Sequence, residues 1–407
     1  MLKIFLALVH NIIFWIVILV AFFRLMEIFY FQEVILSDVH IAIVALFSLF
    51  IFLMPYVFLR QCIPFDARAI FFILMLFGYG GLAVVLQTTT LQEKIDLLGF
   101  SSHIFPRTRW IETSSWLGLG LCCSRARLDS SLVIVLILFS LLTLLVGTNV
   151  TGIETINYDT LKSELNIQGA THLMISDNII LVGYAVFVLA PPYLRILIFW
   201  GLAILLFIAG GRSAFIFGMI SLLIFMFFSD SGTRKFRKIM FILVIIVTAG
   251  IYVFLAEYSY KDDFVEMFFS DGLKDDGSVV ARSTQFTDGL TLLWSQFWYG
   301  NLGAIIEKFG LVGSTMHNFL SAWQYFGFPF FLIFVAAWIE AIRRVGATYT
   351  SHSDYLLVQF MVILTLYSVM SLIFSKSATF WLAWFSLGIA LGQKPTAKRL
   401  SDKYYKM

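Results

Sequence analysis

Apolar residues fall in long unbroken runs along this chain, and polar residues gather between the runs instead of alternating with them. Crossing a bilayer as a helix takes about 17–25 mostly apolar residues. Runs of that kind occupy 4–23, 39–59, 69–87, 108–124, 131–149, 173–190, 194–210, 213–229, 239–256, 318–342, 354–373 and 378–392. The pattern predicts an all-α polytopic membrane protein of about twelve transmembrane helices, forming one integral membrane domain over 1–407. Strands of a membrane barrel would alternate apolar and polar positions, which these runs do not. The fourth run is the least apolar: it carries Arg109 and Glu112 and is cleanly apolar only from Trp116 to Cys123. Gly327 and Pro329 in the tenth run predict a short helix, a kink and then the span. The first run is too long for a signal-peptide core and no Ala-x-Ala site follows it, so it reads as a retained span.

Composition agrees. The chain has 407 residues, of which 60% are apolar and 13% charged. Soluble domains run at about 45–50% and about 25%. Twelve helices would use about 240 residues, close to the whole apolar content. A soluble enzyme, a disordered chain and a disulfide scaffold are thereby excluded. A net charge of +3 is too small to call for nucleic acid. Cys62, Cys122 and Cys123 are odd in number and lack metal-ligand spacing, so they read as packing residues.

Where the charges fall gives an orientation. Basic residues mark the cytoplasmic loops of membrane proteins. Twelve spans put Arg60, Arg68, Arg125, Arg127, Arg195, Arg234, Lys235, Arg237, Lys238, Arg343, Arg344 and the basic tail from Lys394 to Met407 on one side, with both termini. A loop over 257–316, nine acidic residues against four basic, falls on the other. Within it, Thr284 to Trp298 spaces Phe286, Leu290, Leu293, Trp294, Phe297 and Trp298 like one face of a helix. That face either lies on the membrane surface, caps a cavity or packs onto the bundle. Ionisable residues are nearly absent from the spans; Asp177, Glu340 and Asp354 fall near span ends. That scarcity disfavours an ion-coupled transporter or a flippase and moves any chemistry to the outer face.

Three constellations occur at that face. In Ala209-Gly210-Gly211-Arg212-Ser213, two glycines reverse the chain and Arg212 opens a helix. A cation there opposes the helix dipole unless an anion sits between them, which suggests a phosphate ligand; a snorkelling arginine on lipid headgroups is the other reading. Arg282 precedes the aromatic stretch, with Gln285 and Phe286 after it, and either binds an anion or pairs with a nearby aspartate. The sequence Met316-His317-Asn318-Phe319-Leu320 opens the tenth span. Histidine titrates near neutrality and can take a proton from a sugar hydroxyl; Asn318 either holds a substrate hydroxyl or caps the helix. The pairs Asp262-Asp263 and Asp275-Asp276 read as solvated acids, and no metal-ligand cluster, Walker loop or dinucleotide fingerprint occurs. Lys376, in the last outer loop, is a further phosphate or headgroup contact.

Taken in order, Gly210-Gly211-Arg212-Ser213, Ala281-Arg282-Ser283 and His317-Asn318-Phe319-Leu320 with Gly327 resemble the Wzy-type O-antigen polymerases and the related O-antigen ligases over about 170–395. The resemblance implies a multi-pass protein of the bacterial cell inner membrane with both termini cytoplasmic, a large periplasmic loop and a periplasmic active site in lipopolysaccharide biosynthesis. It also implies oligosaccharides on undecaprenyl pyrophosphate as substrates, no metal or other cofactor, inversion at the anomeric centre, and membrane lipids and a chain-length regulator protein as partners. Arg212 and Arg282 would hold the donor pyrophosphate and His317 would assist the acceptor hydroxyl, with Asn318, Gln285 and Lys376 as substrate contacts. In the ligases nine residues commonly separate the His-Asn pair from glycine; here eight do, Phe319 to Phe326, which favours the polymerase. A ligase acting on lipid A core is the nearest alternative, and a flippase or transporter of lipid-linked oligosaccharides the alternative from another class.

Overall fold

A computed structural model describes residues 2–26, 65–90, 104–126, 172–209, 212–228, 286–291, 293–294, 297–302, 316–352 and 355–393. Among them the secondary structure is helical, without strands. The helices are α1 (Leu2–Met26), α2 (Ala67–Thr90), α3 (Ile104–Cys123), α4 (His172–Leu189), α5 (Arg195–Ile208), α6 (Arg212–Phe228), α7 (Ser321–Phe326), α8 (Phe328–His352), α9 (Leu356–Phe374) and α10 (Trp381–Gly392). Each described helix lies on an expected run. The runs at 39–59, 131–149 and 239–256 lie outside the described residues, as do the basic tail and most of the 257–316 loop. Among the described residues two helices, Ala67–Thr89 and Leu356–Phe374, are long and apolar enough to cross a membrane.

The least apolar run forms one of the most closely packed helices. Three of its polar contacts are made within the helix: Thr113 Oγ1 donates to the Arg109 carbonyl at 3.0 Å, Ser115 Oγ to that of Ile111 at 2.7 Å, and Arg109 pairs with Glu112 at 2.6 Å. From Ser115 to Ser124 every residue is buried. Small residues let α3 and α10 touch backbone to backbone. A side chain on Gly120 would strike the Phe385 carbonyl, one on Gly388 the Leu117 carbonyl, and one on Gly392 the Ser124 side chain. Spaced four apart as Gly120–Ser124 and Gly388–Gly392, these residues form the small-xxx-small arrangement that brings helices close.

The kink expected at Gly327 is present. Helix α7 ends there with Gly327 at φ +90 and ψ 166, a backbone region nearly restricted to glycine. A Cβ at this position would collide with the Trp298 carbonyl. Pro329 follows within the first turn of α8, where a missing N–H costs nothing.

The bundle has two ends. At one, Arg344 is 1% exposed and joins three helices. It pairs with Asp66 at 2.7 Å and Glu340 at 2.8 Å, and donates to the Leu391 and Gln393 carbonyls at 3.0 and 2.8 Å. Asp66 also caps α2 by accepting the Ala69 N–H at 2.8 Å, so one carboxylate serves two helices. Burial raises the Asp66 pKa, but the Arg344 hydrogen bond and the Ala69 N–H outweigh that and hold it below the ordinary carboxylate value. Gln393 Nε2 donates to the Ser124 carbonyl, and His10 Nδ1 donates to that of Cys122 at 2.6 Å, which brings in α1 and α3. Arg195 donates to Gln359 at 3.0 Å, near the start of α9. Arg68, Arg125, Arg195, Arg343 and Arg344 thus gather at this end.

Candidate active site

The opposite end carries the residues with chemical potential. Its frame begins at the His317–Asn318 turn. Asn318 Oδ1 accepts the Leu320 N–H at 3.0 Å, and the Asn318 carbonyl accepts the Ser321 N–H at 3.1 Å and Ser321 Oγ–H at 2.5 Å. The Asn318 amide oxygen therefore holds the turn that opens α7. His317 is half-buried beside fully buried Met316. The Met316 N–H donates to Gln324 Oε1 at 3.1 Å, which fixes the entry to the histidine.

Ser321 joins this turn to the loop between α9 and α10. Its Oγ accepts the Ala378 N–H at 2.6 Å, while Trp384 Nε1 donates to the Ala378 carbonyl at 2.6 Å. Two residues earlier, Lys376 lies buried. Its ammonium is 2.9 Å from Asp177 Oδ2 and 3.2 Å from Oδ1, and Tyr367 donates its hydroxyl to Oδ1 at 2.9 Å. The Lys376 ammonium also sits 4.8 Å from the centre of the Phe380 ring. Lys376 is thus turned inward on a carboxylate, not outward toward headgroups.

Arg212 opens α6 at the same end. Helix α6 packs along α9, where Phe217 stacks on Phe374 at 5.7 Å, and Tyr184 of α4 donates to the Gly218 carbonyl at 3.0 Å. The start of α6 thereby lies beside the end of α9 that leads into Lys376. Gly210, Gly211, Arg282 and Gln285 lie outside the described residues. The aromatic stretch after Arg282 forms a helical turn at 286–291 whose Gly289 is pressed on Met316, so it runs against the His317 turn.

Of the three readings of that stretch, the rings pack onto the bundle. Trp294 stands edge-on to Trp323 at 5.1 Å, and Phe297 lies 5.0 Å from Phe328. Trp294 and Trp298 nonetheless remain 70% and 62% exposed.

Sequence reasoning missed several polar groups here. Asp177 was set aside as a span-end acid, and its partner lies 199 residues away. Gln87 Nε2 donates to the Tyr299 and Tyr325 carbonyls at 2.5 Å each, and its Oε1 accepts the Leu302 N–H at 3.0 Å. The Asn301 N–H donates to the Gln324 carbonyl at 2.8 Å. These amides sit in ordinary apolar surroundings in the sequence and carry no motif. No protein-family model matches the chain, and no curated protein matches it.

Proposed function

We propose that this chain is a membrane glycosyltransferase of the O-antigen polymerase type, moving a growing glycan from undecaprenyl pyrophosphate onto a lipid-linked repeat unit at the periplasmic face of the bacterial inner membrane. The observation that carries the reading is the tie between the His317–Asn318 turn and the Lys376 loop through Ser321, at the end where the Arg212 helix begins. Support for the membrane setting comes from helix α2, which is strongly apolar yet leaves Phe71, Leu74, Leu82 and Val85 exposed. A bilayer is the medium in which such a face is stable. Basic residues at the Arg344 end support a cytoplasmic assignment of that end and hence a twelve-span topology with both termini inside and the 257–316 loop outside.

The chemistry follows from charge. The acceptor hydroxyl oxygen attacks the anomeric carbon, the bond from that carbon to the pyrophosphate oxygen breaks, and the hydroxyl proton passes to His317. Negative charge grows on the departing undecaprenyl pyrophosphate. Arg212 and Arg282 neutralise it with guanidinium forks that match phosphate oxygens; each such donor is worth about 3 kcal/mol in a dry site. His317 as base contributes about 10²–10⁴-fold. Lys376 joins the phosphate contacts only by leaving Asp177, and Gln285 and Asn318 border the acceptor.

Substituting Arg212, Arg282 or His317 by alanine tests this. Long glycan chains disappear while the protein stays in the membrane and single-unit glycan on lipid A persists. Loss of the single unit as well indicates the ligase. Wild-type chain lengths in all three variants reject both.

A second reading has one observation in its favour. The buried Asp177–Lys376 pair is the kind of intramembrane charge found in transport pathways. A flippase or transporter of lipid-linked oligosaccharides would move labelled units across reconstituted vesicles and never lengthen a glycan.

A further inference from the structure

We propose that Asn301 and Gln324 form a neutral subsite that grips one hydroxyl of a carbohydrate, an inference that rests on the glycosyltransferase reading and names the part of the site that holds sugar. Both residues are 2% exposed. Yet Asn301 Oδ1 and Gln324 Nε2 have no hydrogen-bond partner among the described residues. A buried polar atom without a partner is costly and calls for an explanation. Their neighbour Gln87 satisfies three backbone groups with its one amide.

The two orphaned atoms belong to adjacent residues, since the Asn301 N–H binds the Gln324 carbonyl at 2.8 Å. The fold holds them there. Gly300, at φ +70, lies on the backbone of Tyr325 and Phe326 where a side chain would collide, and Gly327 does the same against Trp298. Gln324 spends its oxygen on the Met316 N–H at 3.1 Å, so only its nitrogen remains to offer, and it does so next to the residue before His317. Gly289 packs beside that nitrogen and on the Met316 side chain; a Cβ there would collide with Met316 and lie 3.5 Å from the nitrogen.

One orphan accepts and the other donates. A phosphate oxygen would satisfy Gln324 and be repelled by Asn301 Oδ1. A hydroxyl satisfies both, because it donates one hydrogen bond and accepts another. Trp323 adds a third orphan, its Nε1. The exposed Trp294 ring beside it, 5.1 Å away, offers a flat apolar face of the kind that packs on the C–H face of a sugar ring. The combination selects an uncharged polyhydroxylated ligand, placed within reach of the turn that carries the proposed base.

The test uses the full-length protein in nanodiscs and the free repeat-unit oligosaccharide, released from its lipid carrier by mild acid, with tryptophan fluorescence as the readout. Asn301→Leu removes the acceptor. Gln324→Glu removes the donor and keeps an oxygen for Met316. Each weakens oligosaccharide binding about tenfold, the size of one hydrogen bond to a neutral group, while Asn301→Leu leaves thermal stability unchanged or raised. Equal affinity in wild type and both amide variants means that the pair holds an internal water and overturns the subsite. So does the absence of any binding to wild type. Chain-length profiles of His317→Ala, read separately, report on the polymerase reading and tell its failure from this one.

Discussion

The Lys376 ammonium and the Asp177 carboxylate meet at 2.9 Å with both side chains almost fully buried, 7% and 4% exposed. Desolvating two charges consumes most of what their attraction returns, so such a pair adds little net stability, whereas removing one partner strands the other. Lys376→Met and Asp177→Asn are each expected to lower stability by about 3–5 kcal/mol. The double variant Lys376→Met with Asp177→Leu recovers most of that loss. Thermal unfolding in detergent measures all three; a double variant no better than the singles would show that the pair is not energetically isolated.

Asp66 gives the bundle an acid-sensitive clasp. Its folded pKa lies below the ordinary value because Arg344 and the Ala69 N–H outweigh its burial. The stability it supplies is therefore fully present above about pH 4 and is lost as pH falls through the lower folded value. Asp66→Asn should flatten the stability–pH curve in that acid window and leave the slope near neutrality unchanged. Unfolding midpoints collected from pH 6 to pH 2 on both proteins decide it.

Backbone contact between α3 and α10 leaves no room for side chains. Gly388→Leu and Gly120→Val force the helices apart, at a cost of about 3 kcal/mol or more. Gly118, which has nothing within 4 Å of an added Cβ, tolerates alanine with no loss. Yield of monodisperse protein after detergent extraction separates these outcomes.

Gly327→Ala places a Cβ against the Trp298 carbonyl at a backbone angle that alanine rarely adopts. We expect a loss of about 1–3 kcal/mol together with displacement of the 297–302 loop. Stronger quenching of Trp298 and Trp294 by acrylamide would report that displacement.

Cys122 and Cys123 are both free and buried. In a Cys62→Ser background they should resist maleimide in the folded protein and react fully after denaturation. Rapid labelling of the native protein would contradict the packing of α3 against α10.

Element by element, hydropathy alone predicted much of the fold. Each described helix falls on an apolar run, and the α7–α8 break falls where Gly327 and Pro329 stand, because helix formation in apolar surroundings depends on local composition and on residues that restrict or free the backbone. The end-to-end alternation of spans also leads one to expect His317, Arg212 and Lys376 on one side of the bundle. Side-chain commitments were not legible. Asn318 had two readings open, and the structure commits its side-chain oxygen to the Leu320 N–H in the turn before α7.

What the sequence determined by itself is the position of the described helices, the break at Gly327 and the gathering of basic residues at one end of the described bundle, since each depends on residues within a turn or a loop of one another. The tertiary structure alone decided which polar groups meet. Lys376 finds Asp177 across 199 positions and Arg344 finds Asp66 across 278. Asn301 and Gln324 become neighbours only because two glycines let a loop lie on a helix break. Those encounters follow from helix packing and close approach, which the linear order of residues does not encode locally.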